Sequence, residues 1–152
     1  MSCFQLSIDP AVAAVIRRQA ELNYPYECCG FLFGTDVPHR HMAVALPVDN
    51  NKEGDQRRRF EISVRDYMRA EAYAAQHDLT LLGVYHSHPD HPAIASEHDL
   101  AVAMPFFSYV IISVRNGCAA DLKSWRLQET GHRAFTEESV GEASAAAVFA
   151  EH

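Results

Sequence analysis

Residues 83–100, GVYHSHPDHPAIASEHDL, bring four histidines, two aspartates and a glutamate into one short stretch. His86 and His88 stand two apart in a segment that reads as a strand. Side chains alternate faces along a strand, so both imidazoles point the same way. Two convergent imidazoles suit a zinc ion. A bare His-x-His by itself marks no metal site, since two polar residues also sit well on the wet face of a half-exposed strand. The chain carries its own comparison in His39 and His41, a second His-x-His. No acidic residue follows that pair at a useful spacing, and it reads as a solvated strand face. After His88 the context differs. Pro89 and Pro92 stiffen a loop, and Ser96-x-x-Asp99 follows. Ser-x-x-Asp is a capping box that starts a helix. It also places a carboxylate in the first helical turn, within reach of the strand end. Two neutral histidines and one aspartate on Zn²⁺ leave a first shell of about +1 and a fourth position open, the pattern of a catalytic site. Zinc in such a site lowers the pKa of a bound water to roughly 7. Hydrolysis further needs a base that takes a proton from water and returns it to the leaving group. Glu27, at the head of CCGFLFG, is the candidate, although polar residues are also ordinary at strand ends.

The elements that must position these groups follow from pattern. Residues 3–8 alternate and read as a strand. Asp9 reads as an N-cap with Pro10 at the first helical position, and Val12, Val15, Ile16 and Leu22 mark a helix to about Asn23. Pro25 stops it. Residues 27–35 read as a buried strand, paired through the turn TDVP with a hairpin partner at 39–48. Residues 49–59 are polar and without period, the mark of a mobile loop. FEI, at 60–62, reads as a short edge strand. Ser63 with Asp66 reads as a capping box for a helix to about His77. Residues 80–88 read as a central strand, and a short helix opens at Ser96. SYVIISVR and AADLKSWRL read as two strands joined at NGC, a hairpin signal. ETGHRAF adds a last short strand. From Thr136 the chain is rich in alanine and glutamate, and reads as helix or disorder. No repeat or linker interrupts the pattern, which points to one α+β domain at 1–136 with a C-terminal tail at 137–152.

The bulk properties narrow the function. A chain of 152 residues can bury a core of its own. A net charge of −7 argues against a nucleic-acid binder. No apolar run is long enough to span a membrane, and the start shows no secretion signal, so the cytoplasm is the expected compartment. The four cysteines, Cys3, Cys28, Cys29 and Cys118, form no disulfide framework. Cys28 and Cys29 face opposite sides of a strand and read as packing. His91 and His98 flank the motif outside the ligand positions and read as loop and helix-surface residues that can also shape a groove. Arg57, Arg58 and Arg59 form a solvated charge run, and Tyr85 and Trp125 read as core.

Taken together, Glu27, His86-Ser87-His88-Pro89, six residues, and Ser96-Glu97-His98-Asp99 resemble the motif of the JAMM (MPN-plus) metalloproteases. That motif is a glutamate on an early strand, then H-S/T-H-P, six residues and S-x-x-D. PYECCGFLFG, RRRFEIS and SYVIISVRNGCAADLKSWRL are also similar in order and character to short prokaryotic members, over roughly residues 3–135. The resemblance implies a three-layer α-β-α-like fold: a mixed, mostly antiparallel curved sheet flanked by helices, of the MPN/JAMM (cytidine-deaminase-like) type. It implies that His86, His88 and Asp99 bind one Zn²⁺ per chain. Glu27 is then the general acid/base, and the Ser96 hydroxyl helps hold the oxyanion. The implied reaction is hydrolysis of a peptide or isopeptide bond after the C-terminal Gly-Gly of a ubiquitin-like protein. Deubiquitinating members of the family carry long insertions that grip a second ubiquitin. This chain has little room for them and resembles the group that processes ubiquitin-like sulfur carriers. The implied partners are a sulfur-carrier protein or a peptide, with no nucleic acid and no membrane, and with room for a homodimer. The segment RRRFEI borders the cleft in this architecture and can add a strand to an extended substrate tail. Two other readings stay open, a non-catalytic MPN binding module and a zinc amidase acting on a cell-wall or other peptide. A zinc deaminase is disfavoured, because H-x-E followed by P-C-x-x-C is missing.

Overall fold

Asp9 starts the first helix as its side chain predicts, accepting a hydrogen bond from the Ala11 N–H at 2.9 Å, with Pro10 in the first turn. The computed structural model describes residues 5–144. In chain order the elements are strand Gln5–Ile8 (β1), helix Pro10–Asn23 (α1), strands Cys29–Thr35 (β2) and Arg40–Val48 (β3), and helix Val64–Gln76 (α2). Strand Thr80–Pro89 (β4), helix Glu97–Val102 (α3) and strands Ser108–Arg115 (β5), Cys118–Leu127 (β6) and Phe135–Glu142 (β7) complete it. The buried stripe of α1 is Val12, Ala13, Ile16 and Ala20. Val15 and Leu22, expected on that stripe, lie off it and are exposed. The hairpin between β5 and β6 turns at Asn116 and Gly117, both with positive φ, as the NG signal requires.

The expected three-layer stack with an open curved sheet is not what forms. The strands close into a seven-stranded mixed barrel in the order β1-β3-β2-β4-β5-β6-β7. Closure runs through β1, which pairs in parallel with β3 on one side and with β7 on the other. The reason lies in 137–142, assigned from sequence to a helical or disordered tail. These residues continue β7, which pairs with β6 as well as with β1. FTEESVGE has little apolar alternation to announce a strand. Its Glu138 is buried all the same, because the carboxylate accepts from Ser124 Oγ at 2.5 Å and Arg126 Nη2 at 2.7 Å. The remainder of the expected tail, 145–152, and Cys3 lie outside the described residues.

The central strands β2, β4 and β5 carry apolar side chains on both faces. One face packs Leu32, Leu82, Tyr85 and Ile112 against Val12, Ile16 and Ala20 of α1. The other packs Phe31, Phe33, Val84 and Tyr109 with Ala70 and Ala74 of α2. Cys28 belongs to the first cluster and Cys29 to the second, so the neighbours do face opposite ways. Tyr85 is fully buried, the core role expected of it. Three smaller expectations fail, the first being the short strand at 129–135, of which only Phe135 lies in a strand. Residues 60–62 form no strand. The Glu61 backbone pairs instead with Asn50 and Asn51 of the neighbouring loop. His41 is buried rather than solvated, with Nδ1 3.0 Å from Ser7 Oγ.

The strand that carries the histidines approaches β5 very closely. At Gly83, paired with Ser108, an added Cβ would lie 1.9 Å from the Ser108 carbonyl oxygen. Backbone cannot retreat there without parting β4 from β5. Gly83→Ala is expected to destabilise the chain by about 3 kcal/mol. Gly141→Ala, with nothing within 4 Å of the new methyl, serves as the mild comparison. Urea unfolding midpoints check the difference.

Candidate metal centre

His86 and His88 project from the same face of β4, as their parity requires. Their Nε2 atoms lie 3.0 Å apart. Asp99 Oδ1 is 3.4 Å from His86 Nε2, and Asp99 Oδ2 is 3.5 Å from His88 Nε2. The Nε2–Nε2 separation is near the edge of a tetrahedral zinc site, about 3.3 Å for bonds of about 2.05 Å, and each Asp99 oxygen lies beside one imidazole. The His88 Nδ1 lies 2.8 Å from the Pro92 carbonyl. A carbonyl only accepts, so Nδ1 carries a proton, which leaves Nε2 to offer a lone pair to a metal or, in the metal-free protein, a proton to Asp99. His86 Nδ1 is buried with no hydrogen-bond partner, and the ring is held by Phe60 stacked at 4.3 Å. The donor set therefore fits a metal ion. His86, His88 and Asp99 are the group of metal-ligand type that the described residues bring together.

Asp99 reaches this position from the first turn of α3. The capping box is complete: Ser96 Oγ accepts from the Asp99 N–H at 3.0 Å, and Asp99 Oδ2 accepts from the Ser96 N–H at 2.9 Å. One carboxylate thus closes the helix start and faces both imidazoles. Burial opposes its ionisation, but hydrogen bonds from His86, His88 and the Ser96 amide hold it well below the usual carboxylate range. Burial pushes the His86 pKa down. At His88 burial works in the same direction, but the hydrogen bonds to Asp99 and Pro92 outweigh it and raise the pKa.

Glu27 sits just before β2. Cys29 pairs with His86 in the antiparallel β2–β4 ladder. Continuing that register by two residues sets Glu27 opposite His88, on the same face as both histidines. Glu27 lines one cleft of about 460 Å³ with His88, Ser96 and Asp99. It is 7% exposed, and burial pushes its carboxyl up to about 8. Its backbone is fixed: the N–H donates to the Gln56 carbonyl at 2.8 Å, and the carbonyl accepts from Asn50 Nδ2 at 3.2 Å. Arg58, Arg59, His91 and His98 also line the cleft, outside the metal-ligand group. Cys28 and Cys29 stay out of it. Burial pushes their thiols up to about 11 and 12, so they remain protonated and pack.

Three residues have roles in this geometry that the sequence reading did not assign, among them Trp125, which was expected in the core and is only half-buried. Ser87, between the histidines, is buried on the opposite face, where its Oγ accepts from the Cys28 N–H at 2.8 Å and its own N–H donates to the Cys28 carbonyl at 3.1 Å. Strand parity was the signal, since a serine alternating with two histidines of one face must find a partner on the other, buried face. Trp125 donates its indole N–H to the Ala93 carbonyl at 3.0 Å and so anchors the loop between β4 and α3. Asp90 fixes the start of that loop, accepting from Tyr24 Oη at 2.6 Å and from the Asn116 N–H at 2.9 Å.

A family profile described as prokaryotic homologs of the JAB domain matches residues 9–128. The chain belongs to this prokaryotic JAB family. The solution structure of protein DSY2949 from Desulfitobacterium hafniense superposes with a TM-score of 0.78 at 25% identity, over 91% of this chain and 93% of that one. A protein from Salinibacter ruber, also solved in solution, gives a TM-score of 0.69 at 37% identity, over 91% of this chain and 92% of that one. Among curated proteins none matches. No helix among the described residues is long and apolar enough to cross a membrane.

The donor set of this JAB domain can be tested directly. Zinc added to metal-free protein should raise its unfolding free energy, by about 2.7 kcal/mol at a hundredfold excess over Kd. His88→Ala and Asp99→Ala should abolish the gain, read by thermal melts and by metal content. Glu27 predicts a pH dependence in the metal-free protein. Its folded pKa of about 8 lies above the ordinary 4.5, so between these values the folded chain holds a proton that the unfolded chain releases. Its contribution to stability is full below about 4.5 and is lost as pH rises towards about 8. With a chelator present, Glu27→Gln should flatten that part of the slope in urea midpoints taken across the window.

Proposed function

We propose that this chain is a zinc-dependent peptidase or isopeptidase that hydrolyses an amide bond after the C-terminal Gly-Gly of a ubiquitin-like sulfur-carrier protein. The observation that carries this reading is the buried Glu27 carboxyl, which lines one cleft with His88 and Asp99 of the His86–His88–Asp99 group. A structural metal site needs no such acid. Its four ligands close the coordination sphere, whereas three protein ligands leave a position free.

Zinc bound there supplies Lewis acidity: it polarises the scissile carbonyl and lowers the pKa of water. The rest falls to the chain's own residues. Glu27, ionised and buried in the cleft beside the metal-ligand group, takes the proton from the attacking water and passes it to the leaving nitrogen. Hydrolysis consumes one water, forms the acyl C–O bond and breaks the C–N bond. Ser96 Oγ uses a lone pair to accept from the Asp99 N–H. Its O–H is left to donate to the carbonyl oxygen of the scissile bond as charge develops there. The loops bordering the cleft, 49–63 and 90–96, are too short to grip a second folded protein, which favours a small carrier tail.

The test offers zinc-loaded protein a Gly-Gly-ending ubiquitin-fold carrier with a short C-terminal extension, and follows its mass. Release of the extension after the second glycine is expected. Glu27→Gln should keep about one zinc per chain and lose roughly 10²- to 10⁴-fold in rate. A Glu27→Gln variant of undiminished rate would overturn the assignment. Tight zinc-dependent binding of the carrier without cleavage would instead make the domain a binding module.

A further inference from the structure

We infer that Arg58 and Arg59 read the free α-carboxylate of the departing segment and so decide which leaving group the cleft accepts. The inference rests on the amide-hydrolysis reading above and adds the class of leaving group. In a chain of net charge −7, two adjacent arginines line the cleft that holds Glu27, His88, Ser96 and Asp99. Their guanidinium groups are lightly committed. Arg58 Nε lies 3.9 Å from Asp55, with both side chains mostly exposed, a pairing that contributes little in water. Arg59 Nη1 donates to the Arg58 carbonyl at 3.0 Å. Arg57 is differently placed, its guanidinium lying over the Tyr26 ring at 5.7 Å.

The arginines are also held at a set distance from the chemistry. The Asn50 side-chain amide donates both to the Glu27 carbonyl, at 3.2 Å, and to the Arg59 carbonyl, at 3.0 Å. Its Oδ1 accepts from the N–H groups of Lys52 and Glu61 at 3.0 and 3.1 Å. Gln56 donates to the Asn50 and Lys52 carbonyls, and its own carbonyl accepts from the Glu27 N–H. One side chain thus ties the arginine-bearing loop to the backbone of the general base. An extended segment advances about 3.5 Å per residue, so a carboxylate one or two residues beyond the scissile bond stays within the cleft. A planar guanidinium suits that carboxylate, because it can donate two parallel hydrogen bonds to the two carboxylate oxygens. A lysine joined through its side chain inside a folded partner offers no such group.

The experiment uses the full zinc-loaded chain and a Gly-Gly-ending ubiquitin-fold carrier extended by one alanine, prepared as the free acid and as the C-terminal amide. The wild type is expected to cleave the acid roughly 10- to 100-fold faster in kcat/KM, the discrimination of a charge-assisted contact. In Arg58→Gln/Arg59→Gln that ratio should fall towards one, whereas Arg57→Gln should keep it. Equal cleavage of acid and amide by the wild type would overturn the inference and leave the amide-hydrolysis reading intact, as would a double variant that keeps the full ratio. Cleavage of neither substrate would remove the underlying reading and the inference with it.

Discussion

Two hydrogen bonds between Ser87 and Cys28 hold the candidate site together. The serine hydroxyl takes the Cys28 N–H and the serine N–H gives to the Cys28 carbonyl, in a fully buried setting. Leaving such a buried group unpaired costs about 1–3 kcal/mol, so the clamp has a strong preference for one register. That register sets Glu27 opposite His88 and on its face. A slip by one residue would turn Glu27 into the α1 side of the sheet and leave the histidine face without that carboxyl. The parity that puts His86 and His88 on the Glu27 face of the sheet is the same parity that turns Ser87 to the other face.

Around this clamp one cleft pushes two carboxylates in opposite directions. Asp99 is as buried as Glu27, but it receives hydrogen bonds from two histidines and an amide, and stays ionised. Glu27 is buried with weaker compensation, and its carboxyl rises to about 8. Such a split separates a group that offers negative charge to a metal from one that exchanges a proton near neutrality. The capping box shows how little sequence this takes. Ser96 and Asp99 complete a helix start and, with the same atoms, face the cleft.

The local parts of this arrangement were legible. Asp9, Ser63 and Ser96 all cap the helices their types announce, since a cap needs only a side chain and an amide two or three residues away. The second His-x-His was legible only in part. His41 lies inside because Ser7, on β1, accommodates its Nδ1, and nothing near His41 in the chain discloses that neighbour. The polar loop 49–59 read as mobile, yet it carries the Asn50 and Gln56 hydrogen bonds that fix the mouth of the cleft. Those bonds reach back to Glu27 and across the loop itself, and polarity alone cannot distinguish such a loop from a solvated one.

By itself the sequence determined which residues can act and which faces they share: two imidazoles on one side of a strand, a carboxylate one helical turn into α3, and a glutamate beside a buried strand. These follow from short-range periodicity and from the chemistry of each side chain. Only the tertiary structure decided that the sheet closes. Closure depends on β1 accepting β7 as a second neighbour and on a buried Glu138–Arg126 pair, and pairings between distant segments leave no period in the chain. It also decided that Glu27 meets His88 and that Arg58 and Arg59 look into the same cleft. Cys28 and Ser87 stand 59 positions apart, and only the β2–β4 ladder makes them neighbours.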